Sequence, residues 1–391
     1  MSPRPLRILL LSHHGREVVG GALLADDALA RALSGLGHTA ELLAFDEVLP
    51  RWVRGTWRLL LFPWAAALTF LRRRREGWDV VETTAGDAWL LRRLARLAGP
   101  RPLLSVRTHG LEHRRANLDR RRRLEENRPA GPLTRLYHDR WRLWEVADDL
   151  RAGDAVFLLN REDADDAVHR LGVRPQRIHV LPNGVPDELL ALPEPAAAPE
   201  RPFHLLFLGA WGAAKGVDLL PRIARRLFAR DPRFRLTCAG TGAPAEEVLA
   251  AFDPEDRGRI RVIPRYGRAE LPDLLARHGT FLFPSPAEGC SLAMLEAMAG
   301  GLAPVVTRTG YATDLIVSGE NGFLVERGDV EGFAMAVLAA TADADTSRRI
   351  GRAARAAVAG QSWTSRAAER VRIWEGLSPL RATASPASPP R

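Results

Sequence analysis

The 391-residue sequence has very few cysteines and no long apolar run, and each shortage excludes a class of protein. Its two cysteines, Cys238 and Cys290, lie far apart in the chain, so they provide neither a disulfide framework nor a thiolate metal cluster. The apolar run within the opening MSPRPLRILLLS is too short for a secretory signal and is typical of a buried strand. From these features we expect a cytoplasmic protein.

Lysine is almost absent. Fifty-six residues are lysine or arginine, and Lys215 is the only lysine among them. Arginine presents a wide planar fork, whereas lysine is a compact point charge, so the two are not interchangeable at a binding site. A single ammonium in a chain that otherwise uses arginine indicates a specific role for Lys215, and an ordinary surface lysine is the alternative.

The positive charge is unevenly distributed. The net charge is +9, yet residues 51–151 alone hold 23 arginines against 12 acidic residues. A basic face of this kind binds nucleic acid, anionic lipid or a phosphorylated acceptor. The alternative is a GC-rich genome that encodes arginine wherever a surface cation suffices. We expect an anionic membrane surface to be a partner of this region, and we do not expect the protein to bind nucleic acid.

Residues 57–71 are nearly all apolar and are followed by four arginines at 72–75. A membrane span needs about 20 apolar residues, and Pro63 interrupts this shorter run. Two interpretations remain. The segment is a buried helix of the first domain, or it is an interfacial helix that places the protein peripherally on the inner face of the cell membrane.

Short apolar runs alternate with helical patterns along most of the chain. This order predicts an α/β fold of two Rossmann-like, doubly wound domains facing across a cleft, with ligands at the carboxyl ends of the strands. Helices are expected at 22–36 and 364–376. Strands are expected at 6–12, 40–44, 79–82, 103–107, 155–159, 178–181, 203–208, 234–239, 260–263, 280–283 and 303–306.

Composition also predicts the domain limits. A Pro- and Ala-rich stretch at 191–202 has little to bury and is interpreted as a linker. It separates a first domain at 1–190 from a second at 203–363. A helix at about 364–378 is expected to pack back on the first domain, and the tail at 379–391 is expected to be disordered.

The strongest functional signal is the segment FPSPAEGCSLAMLEAMAGG at 283–301. A strand ends at Phe283, and Ser291 is expected to cap a helix that runs to about Ala299. Gly289, Cys290 and Ser291 then place backbone N–H groups at a helix N-terminus. Such an end is an anion site and suits a sugar diphosphate.

Two glutamates flank this predicted anion site. Glu288 lies just before the helix and Glu296 lies about a turn and a half inside it. Carboxylates accept pairs of hydrogen bonds from vicinal hydroxyls, as in a hexose or a ribose. The pair is therefore expected to hold the two sugars of one donor, and two ordinary solvated glutamates are the alternative.

The second signal is FHLLFLGAWGAAKGVDLL at 203–220. An apolar strand ends at Gly209, small residues follow, and Lys215 with Gly216 opens a helix. Small residues let a phosphate approach the backbone, and Lys215 would neutralise it. The segment is not a P-loop, because no Lys-Ser or Lys-Thr pair is present.

Two weaker signals lie in the first half. Gly20 and Gly21 follow the first strand outside a G-x-G-x-x-G pattern, which argues against a dinucleotide site. Their backbone amides could approach a donor phosphate, and a simple turn is the alternative. His109 follows a buried strand and precedes Gly110, so it is expected at the cleft edge, bonding the donor sugar or transferring a proton. A structural histidine is the alternative.

Metal-ligand patterns are weak. Asp163-Ala164-Asp165 and Asp343-Ala344-Asp345 imitate an Asp-x-Asp pattern that can bind a divalent metal. Both lie in polar helical stretches and are interpreted as solvated helix faces. No other cluster has metal-ligand spacing along the sequence, so we expect neither a metal nor another cofactor.

Taken together, the Lys215–Gly216 loop, the 283–301 segment and VLPNGV at 180–185 resemble the retaining family-4 glycosyltransferases, which have the GT-B architecture. The likeness extends from about residue 8 to 374. It implies a metal-independent enzyme that uses a nucleotide sugar and keeps the anomeric configuration, and it places Asn183 and Gly184 near the hinge.

The resemblance also implies residue roles. Glu288 would contact the donor sugar, Glu296 would hold the ribose, and His109 would lie near the transferred sugar. Lys215, with the amides of Cys290 and Ser291, would stabilise the leaving diphosphate. The family often has arginine directly after the strand-ending glycine, where this chain has Ala210, so the diphosphate would meet one cation fewer.

The function expected is transfer of a hexosyl unit from a UDP- or GDP-sugar to a hydroxyl of a lipid-linked or cell-surface glycan. A phosphorylase or a nucleotide-sugar epimerase with the same pocket is one alternative. A non-catalytic protein that binds nucleic acid or membrane through its arginines is another.

Overall fold

The structure, a computed structural model, describes residues 4–16, 20–50, 52–53, 55–95, 101–125, 127, 130–195 and 198–377. The chain divides into two compact units, one formed by Met1–Pro182 with Trp363–Arg391 and the other by Asn183–Ser362. The described residues of the predicted linker, 191–195 and 198–202, fall within the second unit. The predicted tail at 379–391 lies outside the described residues.

Each unit is built on one parallel sheet. The strands are β1 Arg7–Ser12, β2 Thr39–Ala44, β3 Val80–Thr84, β4 Leu103–Arg107, β5 Ala155–Leu158, β6 Ile178–Val180, β7 His204–Leu208, β8 Arg235–Ala239, β9 Ile260–Ile263, β10 Thr280–Phe283, β11 Ala303–Thr307 and β12 Phe323–Val325.

The helices fall between the strands, as alternation predicts. They are α1 Gly21–Gly35, α2 Phe45–Val48, α3 Thr56–Arg73, α4 Trp89–Ala95, α5 Glu112–Glu125, α6 Pro132–Leu136, α7 Arg142–Ala152, α8 Arg161–His169, α9 Asp187–Leu190, α10 Leu220–Arg230, α11 Ala245–Ala250, α12 Leu271–Arg277, α13 Leu292–Ala299, α14 Tyr311–Leu315, α15 Val330–Ala340, α16 Ala344–Val358 and α17 Trp363–Leu377.

The first sheet has the order β2-β1-β3-β4-β5-β6 and the second β12-β11-β10-β7-β8-β9, with all neighbours parallel. Central strands such as β3, β4 and β10 are buried along their whole length, because helices cover both faces of a doubly wound sheet. The predicted α/β class with two doubly wound sheets is confirmed. The sequence did not predict β12, because three residues are too few to give a periodic pattern.

Helix α17 belongs to the first unit and packs against α1. Arg370 bonds Glu82 on β3, and the Trp374 indole N–H donates to Ser105 Oγ at 3.2 Å. All four side chains are buried. Removing one partner of such a buried ion pair typically costs about 3–5 kcal/mol, so these bonds fix α17 on the sheet.

Helix α3 places one face in the core of the first unit, where Phe62, Ala66 and Phe70 pack with Leu9 and Val81. Its other face, with Trp57, Trp64 and Leu68, is exposed, so the helix is not wholly buried, and the interfacial interpretation of the segment 57–71 stays a prediction. Within the described residues, no helix combines the length and the apolar composition needed to cross a bilayer.

Candidate functional site

The order of the second sheet reverses between β7 and β10. Strands β8 and β9 continue on one side of this point, and β11 and β12 continue on the other. The connections that leave β7 and β10 therefore diverge to opposite faces of the sheet. A crevice at the carboxyl ends of the two strands is the usual ligand site of such sheets. Lys215 follows β7 and Glu288 follows β10.

Lys215 and Glu288 contact each other at this point. Lys215 Nζ donates to Glu288 Oε1 at 2.7 Å and lies 5.5 Å from the centre of the Phe283 ring. Ser285 Oγ lies 2.7 Å from the same carboxylate oxygen and 2.9 Å from the Ala214 carbonyl oxygen. The ammonium group of Lys215 is thus partly buried and is paired with a carboxylate of the loop that follows β10.

The close approach of the two loops requires a glycine. Gly216 has φ +69°, and a Cβ placed there would lie 2.1 Å from the Pro284 carbonyl oxygen. Any larger residue would therefore clash with backbone as well as adopt a left-handed conformation. Gly216 is what allows Lys215 to reach Glu288.

Backbone contacts on both sides hold the segment before α13. The Gly289 carbonyl accepts from Tyr311 N at 2.8 Å, and the Cys290 carbonyl accepts from Asn183 Nδ2 at 2.9 Å. Gly310 has φ +53°, and a Cβ there would lie 2.0 Å from the Glu288 carbonyl oxygen. The orientation of these peptide groups is therefore fixed.

Helix α13 begins and ends where the sequence predicts. Ser291 is its N-cap and accepts from Met294 N at 3.3 Å, and the helix ends at Ala299. A small pocket lies beside this end. Phe283, Ser285, Glu288, Ser291, Met294, Val306, Thr307, Thr309, Tyr311 and Ala312 line it.

Glu296 is not among the residues of that pocket. It is buried on α13, and its Oε1 accepts from Arg268 Nη1 at 2.6 Å. Burial raises the pKa of Glu296 above its ordinary value, although Arg268 opposes the shift. Burial, with Glu296 as the second cause, raises the pKa of Tyr266 to about 12. That Glu288 and Glu296 grip the two sugars of one ligand stays a prediction, whereas the alternative of two solvated glutamates is wrong for Glu296.

Arg268 and Tyr266 follow β9, and no sequence pattern pointed to either residue. Trp211 belongs to the loop between β7 and Lys215. Its ring lies 6.4 Å from that of Phe207 and 6.0 Å from that of Phe252, so it forms an aromatic cluster with these two side chains at the start of the Lys215 loop. Gly209 opens this loop with φ +154°, and the neighbouring Ala210 is exposed.

The first sheet reverses its order between β1 and β3. Two histidines follow β1, and His13 Nδ1 lies 2.6 Å from Asp87 Oδ2, which follows β3. The buried guanidinium of Arg142 bonds Asp87 at 3.2 Å and the Gly86 carbonyl at 3.0 Å. A second concentration of polar side chains therefore lies at the carboxyl ends of this sheet.

His109 follows β4 in the same region. Its Nε2 lies 3.3 Å from Asp26 Oδ1, to which Arg107 Nε donates at 2.7 Å. Burial alone would raise the pKa of Asp26, but Arg107 and then His109 hold it well below its ordinary value. His14 faces His109 at 5.3 Å between ring centres, and burial, with His13 as the next cause, lowers its pKa to about 2. Asp26 is thus an anion beside His109, and His14 is neutral.

The ligand atoms of His14, Asp26 and His109 lie within 4.8 Å of one another, which is metal-ligand geometry. The sequence did not reveal this group, because its members come from three separate segments. Arg107 already supplies a positive charge to Asp26, and a second cation there would be repelled. The arrangement fits orientation of His109 by Asp26 better than a metal centre.

The remaining predicted residues are less informative. Gly20 is the N-cap of α1 and Gly21 its first residue, with no atom within 4 Å of a Cβ placed on Gly21. Gly184 is buried beside Asn183. Roles for these residues in donor binding or at a hinge stay predictions.

One interpretation of the acidic triplets is wrong. Asp163 is buried, accepts from Leu111 N at 3.1 Å, and has its pKa raised to about 6, chiefly by burial. It is therefore a structural residue of α8 rather than part of a solvated face. Asp343 caps α16 through Thr346 N, as an exposed helix-end residue does.

We expect Asp26→Asn to lower turnover of the sugar transfer that the sequence predicts by about tenfold or more, within the roughly 10²–10⁴-fold that positioned proton transfer contributes. The reason is that the neutral amide no longer orients His109. Turnover of the double variant with His109→Ala should match that of His109→Ala alone, because the two residues act as a unit. The matched control is Asp27→Asn, the half-exposed neighbour that pairs with Arg31 and Arg16 rather than with Arg107. Additive losses would contradict the positioning role.

Two models of known protein families match successive stretches of this chain. Residues 20–189 match the model of Glycosyltransferase Family 4, and residues 202–343 match that of Glycosyl transferases group 1. The two matches fall on successive units and together span most of the chain. The chain therefore belongs to the family-4, group 1 glycosyltransferases, so the family that its motifs resemble is confirmed, whereas retention of the anomeric configuration stays a prediction.

Relatives and solved structures agree with this assignment. The D-inositol 3-phosphate glycosyltransferase of Kribbella flavida is 30% identical over 233 residues, 55% of this chain and 54% of that protein. The UDP-Gal:alpha-D-GlcNAc-diphosphoundecaprenol alpha-1,3-galactosyltransferase of Escherichia coli is 24% identical over 281 residues, 69% and 68% of the two chains. The first of these matches spans about half the length of the relative.

The structure of sucrose-phosphate synthase from Thermosynechococcus elongatus superimposes with a TM-score of 0.74 at 17% identity, covering 96% of this chain and 100% of that one. At this identity the likeness establishes the fold, which is GT-B with two Rossmann-like units.

Proposed function

We propose that the protein is a retaining glycosyltransferase that moves a hexosyl unit from a UDP- or GDP-sugar to a hydroxyl acceptor. The observation that carries the proposal is the meeting of Lys215 and Glu288 at the switch point of the second sheet, 2.7 Å apart. Family membership supports transfer of a sugar, and this contact supplies the groups that a nucleotide sugar requires.

The donor's diphosphate is proposed to lie between Lys215 and the N-terminus of α13. Its two phosphates would exchange the Lys215–Glu288 bond for charge-assisted bonds from Lys215 Nζ and the amides at 289–291. Glu288 would then be released to accept from sugar hydroxyls. Because Ser285 lies against the same carboxylate oxygen, it would hold Glu288 in place during this exchange.

Glu296 is proposed to bind the ribose. Its carboxylate is buried but keeps one strong bond, from Arg268. A carboxylate that is already desolvated and oriented loses little on accepting two hydroxyls. Burial raises the pKa of Glu296 and so favours its neutral form, whereas the positive charge of Arg268 favours the carboxylate that accepts hydrogen bonds.

Catalysis is proposed to be mainly electrostatic. Negative charge builds on the departing diphosphate, and preorganised positive groups stabilise that charge. Lys215 and the α13 N-terminus supply them from the chain itself, so the proposed reaction is metal-independent. In a front-face reaction the leaving phosphate takes the proton of the acceptor hydroxyl, which requires no separate base. His109, oriented by Asp26, would bond the transferred sugar.

The acceptor is proposed to be phosphorylated or lipid-linked, as part of a cell-surface glycan. The names of the two relatives refer to an inositol phosphate and to a diphosphoundecaprenol. The arginine excess at 51–151 would favour an acceptor of this charge.

A ligand screen followed by product analysis tests the proposal. UDP, GDP and their common sugars are added in thermal unfolding measurements, where a ligand at 100 times its Kd stabilises by about 2.7 kcal/mol. The stabilising donor is then incubated alone and with polyprenyl diphosphate sugars. Transfer with retained configuration supports the proposal. Conversion of the donor without an acceptor would assign an epimerase, and phosphate-dependent sugar release a phosphorylase.

A further inference from the structure

Half of the ten tryptophans in this chain are exposed. Trp52, Trp57, Trp64, Trp141 and Trp144 have relative exposures between 40 and 78%. An indole ring is largely apolar with one N–H group, so it usually buries its body or lies at a boundary between water and an apolar phase. All five exposed tryptophans belong to the first unit.

Helix α3 carries two of them on a continuous outward face. Trp57, Trp64 and Leu68 recur at helical spacing and are exposed, Leu68 by 47%, while the intervening Leu61 is half-buried against the core. The opposite face packs in the core. A helix that is apolar on both its core face and its solvent face lacks the polar face that a surface helix of a globular unit normally presents to water.

The exposed face continues beyond α3. The ring of Trp64 lies 6.1 Å from that of Trp89, which lies 6.4 Å from Trp141 and 6.0 Å from Trp144. Trp57, Trp64, Leu68, Trp141 and Trp144 are called here the tryptophan face. Several elements thus supply one connected aromatic surface, which is more than scattered exposed side chains.

The charge beside this face is positive. Helix α3 contains no acidic residue, and its apolar stripe is followed by exposed Arg72 and Arg75. Arg140 is exposed next to Trp141, whereas Arg93, whose guanidinium lies 5.5 Å from the Trp89 ring, is already paired with Asp148 at 3.1 Å. Interfacial surfaces combine aromatic rings with flanking cations, which complement anionic headgroups.

We propose that the tryptophan face docks on the surface of an anionic lipid bilayer, with its indoles among the headgroups and the exposed Arg72, Arg75 and Arg140 against lipid phosphates. An anionic bilayer fits this surface better than a second copy of the chain does. In a dimer the two tryptophan faces would bring their arginines together, and the like charges would repel. The tryptophan face belongs to the first unit and shares no residue with the proposed donor site, so its binding can be measured whether or not the proposed activity is found.

Vesicle binding by the full chain tests the inference. The protein is mixed with vesicles of phosphatidylcholine alone and of phosphatidylcholine with phosphatidylglycerol, and sedimentation and tryptophan emission are recorded. We expect binding to the anionic vesicles with a blue shift of the emission. Trp57→Ser with Trp64→Ser should weaken this binding at least about tenfold, since each buried aromatic side chain contributes strongly. Arg72→Glu should weaken it about fivefold.

Matched controls separate docking from loss of structure. Val317→Ser with Met335→Ser removes two apolar residues of similar exposure from the second unit and should leave binding unchanged. Arg31→Glu does the same for an exposed arginine on α1. Equal binding by the tryptophan variant and the wild type would overturn the inference. So would an emission shift with soluble oligosaccharide but not with vesicles, or dimerisation abolished by the same substitutions.

Discussion

Replacing Lys215 by alanine is expected to lower turnover by about 10²–10³-fold, the typical loss when one preorganised group that stabilises developing negative charge is removed. Lys215 is the only lysine, and no arginine contacts Glu288 in the described residues. The diphosphate would therefore leave without its main cation. Turnover is measured with the donor that the ligand screen identifies, both with an acceptor and as hydrolysis alone.

The fold should survive this substitution. The Lys215 side chain is one-third exposed and makes one ion pair, and partly exposed pairs contribute little to stability. Lys215→Arg should recover only part of the activity, because a planar fork does not replace a compact ammonium next to Phe283. Arg230→Ala, at the far end of α10, is the control for removing an exposed cation of the same unit. Full activity of Lys215→Ala would remove the central support of the proposed mechanism.

Local sequence rules predicted the elements of the donor-side site well. The cap at Ser291 and the end of α13 at Ala299 depend on neighbouring residues, so a single sequence contains the information. The sequence placed Lys215 and Glu288 after predicted strands, whose carboxyl ends meet at one edge of a parallel sheet, but that β7 and β10 are neighbours is known only from the structure. The family resemblance implied roles for these residues, but it did not predict that Lys215 and Glu288 contact each other.

The long-range polar partners were not predictable. Arg268 and Glu296 are 28 residues apart, and Arg107 and Asp26 are 81 apart. Nothing in either local pattern distinguishes these arginines from the many others of the chain. The burial of Asp163 was missed for the same reason, since its acceptor role depends on Leu111 from another segment. In an arginine-rich sequence the ion-pair partner of a charged residue therefore cannot be predicted from the local pattern, because folding decides which arginine lies next to which carboxylate.

Gly216→Ala is expected both to destabilise the second unit and to abolish most of the donor affinity. Two effects act together at this position. A left-handed residue other than glycine costs about 1–2 kcal/mol. In addition, the new Cβ would lie 2.1 Å from the Pro284 carbonyl oxygen, so the loops after β7 and β10 must move apart. Since these loops carry Lys215 and Glu288, their contact is lost even though neither residue has changed.

Gly328→Ala separates the two effects. Gly328 also has a left-handed φ, +78°, and belongs to the same unit, but no atom lies within 4 Å of its Cβ position. It should therefore show the conformational cost alone, with nucleotide affinity unchanged. Unfolding is followed thermally, and nucleotide binding is measured by calorimetry below the transition of each variant. Equal donor affinity in the two alanine variants would mean that contact between the loops after β7 and β10 does not build the donor site, whereas a loss confined to Gly216→Ala would locate that site where the two strands diverge.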